Sequence, residues 1–417
     1  MDINCLKGTK DIFGPEIENW QRLEQISREI FRLYSYQEIR TPIIENTSLF
    51  ARSIGKATDI VQKEMYSFKD KGDRDISLRP EETASVVRAY IQHGFYRQKG
   101  TAKFYYIGPM FRSERPQAGR MRQFHQIGVE AIGSENPFLD AEIILLLNEI
   151  LKKSGVKKYE FKVNSLGCAE DRKKYRDVLK KSVEPDFEKL CLDCKKRYDV
   201  NILRILDCKN ETCRQICSKL PVITDCLCAR CENHFAEVLK MLDTFNLPKK
   251  VDTHLVRGLD YYTSTAFEVT AQGLGAQDAV AAGGRYDNLV AELGGPKTGA
   301  CGFAIGMERL ISIMPEVEKA DKKKNPFVYL IYFDKVVHQH AFKIMSILRE
   351  NGICADIDYL QNSVKSQMRQ ANSANADYVI IIGEDEVKNG VLTIKNMKSS
   401  AQEQVPQNKL LDFFKNE

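Results

Sequence analysis

Two strand-forming segments, "KFYYIGPMF" (103–111) and "RQFHQIGVEAIG" (122–133), constrain the fold of this chain more than any other feature. Pro116 and Gly119 lie between them and mark a long hairpin loop, so the strands are neighbours that run antiparallel. Further strand-like sequence occurs at "EIRTPIIE" (38–45), "YEFKVN" (159–164) and "HLVRGLDYYTSTAFEVTA" (254–271). Helical spacing occurs at about 15–35, where Pro15 suits a first turn, and at "FLDAEIILLLNEILKKSG" (138–155). Strands and helices do not strictly alternate, which points to an antiparallel or mixed sheet rather than a doubly wound parallel one.

The second hairpin strand carries an unusual face. Period-two alternation puts Arg122, Phe124, Gln126, Gly128 and Glu130 on one side and Gln123, His125, Ile127, Val129 and Ala131 on the other. A cation, an aromatic ring, an amide and a carboxylate on one strand face line a site more often than a core. The connecting loop adds to the charge, with four arginines between Arg112 and Arg122. The chain as a whole does not explain them, because 62 basic residues oppose 57 acidic ones. Arginine forks match phosphate oxygens bidentately, each such bond being worth roughly 1.5 to 3 kcal/mol. Solvated arginines with Glu130 paired to one of them are the plainer account, and three other segments weigh against it.

At "CGFAIGMERLISIM" (301–314) an apolar strand runs through Gly302 and Gly306 into a helix with Arg309 in its first turn, an arrangement that suits a nucleotide phosphate. "LVRGLDYYTSTAFEV" (255–269) brings Arg257, Gly258, Asp260, Tyr261 and Tyr262 together ahead of a strand, and "AAGGRYDNLV" (281–290) adds a Gly-Gly bend and Arg285. "LRPEETASVVRA" (78–89) places Glu81, Glu82 and Thr83 at a helix start, with acceptors for an ammonium or imidazole N–H. Acidic residues favoured by the helix dipole are the plainer account there.

Residues from about 168 to 250 are charged, cysteine-rich and mostly helical in pattern, and read as an insertion into one domain spanning 1–320. The like-charged run "EKADKKKNP" (318–326) reads as a linker. Beyond it, 326–417 alternates strands ("FVYLIYF", "CADIDY", "DYVIIIG") with helices ("HQHAFKIMSILRENG", "SVKSQMRQANSAN"), a small α/β domain with a largely parallel sheet. On the second of those helices Lys365, Gln367 and Arg369 can meet a nucleic acid, and a solvated face accounts for them equally well.

Together these motifs resemble a known family. "FRSERPQAGRMRQFHQIGVEAIG" resembles motif 2 of the class II aminoacyl-tRNA synthetases and "GFAIGMERL" their motif 3; "LVRGLDYYTSTAFEV" and "AAGGRYDNLV" resemble the two histidine-specific signatures of the histidyl-tRNA synthetase family. "GTKDIFGPE" and "LRPEETA" are similar to its N-terminal region, so the resemblance runs along essentially the whole chain. It implies an α+β catalytic domain on an antiparallel sheet of class II synthetase type with a helical insertion, plus a small C-terminal α/β anticodon-binding domain.

The implied reaction joins L-histidine to ATP, giving histidyl-adenylate and pyrophosphate, and then moves the histidyl group to the 3′ end of tRNA(His). Histidine would be held by Glu81, Glu82, Thr83, Arg112, Gln126, Glu130, Arg257, Tyr261 and Tyr262. Glu114, Arg120 and Arg309 would join Arg112 in binding ATP, with Phe124 stacked on adenine. Arg112 and Arg257 would be the catalytic pair, Arg257 taking a place that a metal ion fills in relatives, and Mg²⁺ would accompany the β- and γ-phosphates. Arg120 and Arg122 would face ATP or the tRNA acceptor end. Homodimerisation through the N-terminal helix region is implied as well. Bacterial relatives usually read "LRPEGTA", so Glu82 departs from the pattern: either it points away from the site or it makes histidine affinity unusually pH-dependent.

Nine of the twelve cysteines fall between Cys168 and Cys231. Two C-x-x-C pairs, Cys191/Cys194 and Cys228/Cys231, have the ligand count of a tetrahedral structural Zn²⁺ site, with unligated thiols as the alternative. The start "MDINCLKGTKDIFG" lacks the apolar core of a secretory signal, and no apolar run is long enough to span a bilayer. A cytoplasmic protein with no membrane partner is expected. A catalytically silent, synthetase-like regulatory protein is the rival reading; such proteins lose parts of the histidine signatures or the C-terminal domain, and this chain keeps both.

Overall fold

The computed structural model of the chain describes residues 3–55, 58, 60–116, 119–274, 278–316 and 326–415. Two compact units divide it, Met1–Glu316 and Val317–Glu417. The run read as a linker lies outside the described residues except for Pro326.

The first unit is built on an eight-stranded sheet. In spatial order its strands are Gln37–Glu38, Ala102–Phe111, Gln123–Ile132, Ala300–Gly306, Ala279–Arg285, Thr263–Ala271, Tyr159–Ser165 and Lys249–Val251. The six inner strands pair antiparallel, and the short edge strands pair parallel. The hairpin expected around the arginine loop is present, with Ala102 opposite Ile132 and Phe111 opposite Gln123.

One sheet face is apolar because the alternation puts Ile127, Val129, Ala131, Phe161, Val163, Phe267 and Val269 there. Onto it pack the helix Pro15–Leu33, through Trp20, Leu23, Ile30 and Phe31, and the helix Pro137–Lys153, whose buried residues include Ile143, Ile144, Leu147 and Leu151. Burying side chains of this size stabilises by roughly 1.5 to 3 kcal/mol each. The opposite face is left to the site.

The segment expected as an insertion does two different things. Its last helix, Ala229–Thr244, puts Phe235, Val238 and Leu242 into the main core beside the Pro137–Lys153 helix. The stretch before it folds into short helices whose apolar side chains, such as Tyr175, Leu179, Ile202, Ile205 and Cys217, form one cluster with Tyr261, Tyr262 and Phe104. Sheet structure resumes at Lys249 rather than at "HLVRG".

The second unit has a five-stranded sheet, ordered Cys354–Ile357, Phe327–Tyr332, Tyr378–Ile382, Val391–Asn396 and Gln402–Pro406. Its first three strands are parallel and its last two antiparallel. Alternation along Phe327–Tyr332 sends Val328, Leu330 and Tyr332 to the core under the helix Lys335–Glu350, and Tyr329 and Ile331 to a second core with Ala371 and Val379. Gln367 is buried, bonding Tyr332 through its amide in both directions. It therefore holds its helix to the sheet, while Lys365 and Arg369 stay exposed.

Candidate active site

The polar sheet face of the first unit opens into a cleft of about 470 Å³, within the range of roughly 300–1,000 Å³ usual for small-molecule sites. Phe124, Gln126 and Glu130 line it from the hairpin strand, as alternation requires, and Tyr106 from the strand beside it.

One end of the cleft is a buried acidic pocket. Glu81 precedes the helix Thr83–Gln92 and accepts from the backbone N–H groups of Thr83 (2.8 Å) and Ala84 (2.9 Å), satisfying donors that the first turn leaves open. Thr83 in turn donates its hydroxyl to Glu130 at 2.6 Å. Glu130 also accepts from the hydroxyls of Tyr106 and Tyr286. Burial pushes the Glu130 carboxyl up to about 8, with its hydrogen bonds opposing and the Glu81 charge adding to the rise. Burial also raises Glu81, against its backbone bonds and the pull of Arg112. Tyr261 and Tyr262 close the pocket with ring centroids 4.7 Å apart. The amide oxygen of Gln126 is buried here with no hydrogen-bond partner.

Gly302 pairs with Glu130 across the two strands, and a Cβ on it would collide with the carboxylate. The glycine of the strand-to-helix segment thus makes room for a carboxylate that lines the cleft.

The other end is cationic. Arg112 donates from Nε to the Pro80 carbonyl at 3.0 Å and lies over the Phe124 ring, 5.2 Å from its centroid. Arg120 pairs with Glu114 at 3.0 Å. Arg309, at the start of the helix Met307–Ile313, reaches back to the carbonyls of Gly119 and Ala279 at 2.9 and 2.8 Å. Burial lowers the pKa of Arg309, with the charges of Arg120 and Arg112 adding to the fall and those of Glu114 and Glu268 opposing it. Arg257 donates to Glu268 at 2.6 Å and lies 5.9 Å from the Tyr262 ring centroid, its buried Nε unpaired.

Among the residues expected to hold histidine and ATP, all but Glu82 line this cleft. Glu82 turns the other way: its Oε1 accepts from the Thr41 hydroxyl at 2.6 Å and from Arg79 at 2.9 Å. Arg79 is itself tied to the carbonyls of Pro109 and Thr41, both at 3.0 Å. The departure from glycine therefore serves a buried ion pair behind the site, not the substrate pocket. Burial raises the Glu82 carboxyl to about 7 despite Arg79. The folded state thus binds a proton more tightly than the unfolded chain, so this group's contribution to stability declines as pH rises from about 4.5 to about 7. Glu82→Gln is expected to remove that decline, on the order of 3 kcal/mol, and to leave histidine-dependent activity unchanged; denaturant midpoints measured across the pH range check it.

Two other expectations are corrected. Arg122 is not on the cleft wall; it packs beside Gly8 and directs its Nε to the Glu114 carbonyl. The two C-x-x-C pairs do not meet: Cys191 and Cys194 gather with Cys208 and Cys213, whereas Cys228 and Cys231 gather with Cys168 and Asp171. Short helices turn the chain back between 194 and 213 and bring the first four cysteines together, while the starts of the helices at Ala169 and Ala229 bring Cys168 and Asp171 to Cys228 and Cys231.

Sequence reasoning missed Tyr106, Tyr286, Glu268 and Glu308. Glu268 was detectable as the lone charged residue within the strand Thr263–Ala271. Glu308 accepts from the backbone N–H of His125 and meets its Nδ1 at 3.0 Å, and this register-dependent contact leaves no local signal.

A family model for histidyl-tRNA synthetase matches residues 8–310, and one for an anticodon binding domain matches 327–417. The histidine–tRNA ligase of Thermodesulfovibrio yellowstonii is 51% identical over 100% of this chain and 99% of its own length. That of Halothermothrix orenii is 50% identical, covering 97% of each. Among solved structures, apo S. aureus histidyl-tRNA synthetase is similar with a TM-score of 0.82 at 37% identity, covering 99% of this chain and 100% of that one.

Proposed function

This chain belongs to the histidyl-tRNA synthetase family, and on that premise we propose how its residues divide the work. The reaction is ligation of histidine to tRNA: L-histidine and ATP give histidyl-adenylate and pyrophosphate, and the histidyl group passes to the 3′ end of tRNA(His) with release of AMP.

The observation that carries the assignment is the juxtaposition, in one cleft, of the acidic pocket around Glu81 and Glu130 with the arginines 112, 257 and 309. Histidine's α-ammonium sits on Glu130, with the unpartnered Gln126 oxygen as a second acceptor, and its imidazole faces Glu81, Thr83, Tyr261 and Tyr262. Such a pocket rejects analogues lacking the imidazole N–H, because its own buried acceptors would be stranded. Arg112 and Arg257 flank the carboxylate and the α-phosphate. As the carboxylate oxygen attacks phosphorus and the bond to pyrophosphate breaks, charge moves onto the leaving group and the equatorial oxygens, where preorganised guanidinium N–H groups act most strongly. Phe124 stacks on adenine opposite Arg309, and Arg120 with Glu114 holds the nucleotide. Mg²⁺ would screen the β- and γ-phosphates; the hard oxygens of Glu114 and Asp278 on the cleft wall fit such an ion.

Residues 1–320 would form the catalytic domain, with 168–250 inserted, and 326–417 would read the anticodon. Exposed Ile3, Leu6, Phe13 and Leu33 support a homodimer formed through the N-terminal region. Among the described residues no helix is long and apolar enough to cross a membrane, and a cytoplasmic location is part of the proposal. ATP–pyrophosphate exchange across the twenty amino acids tests the reading. Exchange with histidine alone is expected; exchange with another amino acid, or with none, would sink it.

Glu130 supplies a pH prediction. Its carboxyl holds a proton up to about pH 8 in the free site, and a bound ammonium favours the ionised form. Histidine binding near neutrality is therefore expected to release a proton from the protein, and affinity to rise from pH 6 to pH 8. Calorimetry in buffers of different ionisation enthalpy reads the release directly. Glu130→Gln should abolish it and raise the KM for histidine roughly 10- to 100-fold, the equivalent of one charge-assisted hydrogen bond.

A further inference from the structure

Eight potential ligands in the segment 168–231 fall into two quartets, and neither quartet is the one that the C-x-x-C spacing alone picks out. The Sγ atoms of Cys191, Cys194, Cys208 and Cys213 all lie within 4.8 Å of one another, and those of Cys191 and Cys208 are 3.8 Å apart. Four sulfurs at about 2.3 Å from a central ion form a tetrahedron with edges of about 3.8 Å. Cys194 and Cys213 are buried, and none of the four is in a disulfide. The backbone N–H of Cys191 donates to the Cys213 sulfur at 3.3 Å, the kind of contact that steadies a thiolate ligand. Sulfurs this close enclose a single ion; a cluster with inorganic sulfide would hold them farther apart.

The second quartet has a different origin. Cys168 is the N-cap of the helix Ala169–Val183 and Asp171 lies in its first turn; Cys228 is the N-cap of the helix Ala229–Thr244 and Cys231 lies in its first turn. Two helix starts thus converge and present three sulfurs and a carboxylate within 4.8 Å of one another. Asp171 accepts from the N–H groups of Cys168 (3.1 Å) and Cys228 (2.9 Å), which fixes its orientation and leaves lone pairs for a ligand bond. Closure of this site needs no fourth thiolate, since a zinc ion accepts mixed sulfur and oxygen donors.

We infer that this segment binds two structural Zn²⁺ ions, one in the four-cysteine site and one in the Cys168–Asp171–Cys228–Cys231 site. Each ion displaces the protons of its thiols, and the full set of four protein donors leaves no position open for substrate. The first site ties together the helix Leu192–Val200, the turn at Cys208 and the helix Glu211–Cys217, elements too short to be stable alone. The second pins the segment's two ends at its base. Their combined effect is to hold the stretch that packs behind Tyr261 and Tyr262.

The test is metal analysis of the full chain, purified under reducing conditions without chelator or a metal-affinity step. About two zinc ions per chain are expected, falling to about one in Cys208→Ala and in Cys228→Ala, whose side chains are among the more exposed members of each site. Co²⁺ exchanged into the wild type gives a check that needs no variant: tetrahedral thiolate sites produce intense visible bands and sulfur-to-metal charge transfer. One ion per chain, lost only in Cys208→Ala, would overturn the second site. Well under one ion per chain in protein with all its thiols reduced, and no cobalt spectrum, would overturn both; iron in place of zinc would overturn the choice of metal.

Discussion

Arg257→Ala is expected to slow histidine-dependent ATP–pyrophosphate exchange by about 10²- to 10³-fold, the cost of removing one preorganised donor from a developing charge. Arg257 is poised rather than consumed by the fold. Among the described residues its one strong partner is Glu268 at 2.6 Å, and its Nε is buried without an acceptor. Substrate oxygens can therefore engage it without dismantling a network. Arg257→Lys should also be slow, because an ammonium cannot reproduce the planar fork. Since the alanine variant leaves Glu268 without its Arg257 partner on the wall of the proposed ATP site, Arg257→Ala/Glu268→Gln separates lost attraction from new repulsion. The double variant should recover a small part of the rate. A decrease of less than about tenfold in kcat for Arg257→Ala, with the fold intact, would remove the arginine from the chemistry.

Asp140→Ala is the change expected to cost the most stability. Arg285 and Asp140 are 1% and 0% exposed. Asp140 takes bonds from Arg285 Nε at 3.0 Å and from the second guanidinium nitrogen at 2.8 Å, with His234 Nε2 3.2 Å away. Arg285 spends its remaining donors on the Ser134 and Asn136 carbonyls and on Asp287. Burial alone would raise the Asp140 carboxyl, yet the His234 bond and the Arg285 charge outweigh it and hold it below the usual range. Its stabilising contribution is therefore complete at neutral pH and is lost as pH falls through the carboxylate range. Deleting the carboxylate leaves the buried guanidinium with Asp287 alone against it among the described residues, at a cost of about 3 kcal/mol, the lower end for a broken buried pair. Asp140→Leu/Arg285→Met, which removes both charges, should be less destabilising than Asp140→Ala. Denaturant unfolding of the three proteins decides it; equal losses would mean that the pair is not acting as an ion pair.

This pair also shows what a signature does and does not say. Arg285 lies in "AAGGRYDNLV", beside residues that line the cleft, and nothing local separates it from Arg257 or Arg112. Yet Tyr286, one position on, sends its hydroxyl to Glu130 while Arg285 turns into the core.

The polar strand face is legible in the order of residues alone, since alternation leaves Phe124, Gln126 and Glu130 no other arrangement once Ile127 and Val129 are buried. So are the hairpin, the helix that begins at Pro15 and the family, all of which depend on short-range order along the chain. The side-chain pairings came from the three-dimensional fold. Glu82 turned to Thr41, Glu308 to His125 and Cys191 to Cys208 and Cys213, because distant segments meet in a particular register and a buried polar group must find its partner there. Composition and period specify which face a residue occupies; the atoms opposite it are set by strands and helices that the chain reaches tens or hundreds of residues later.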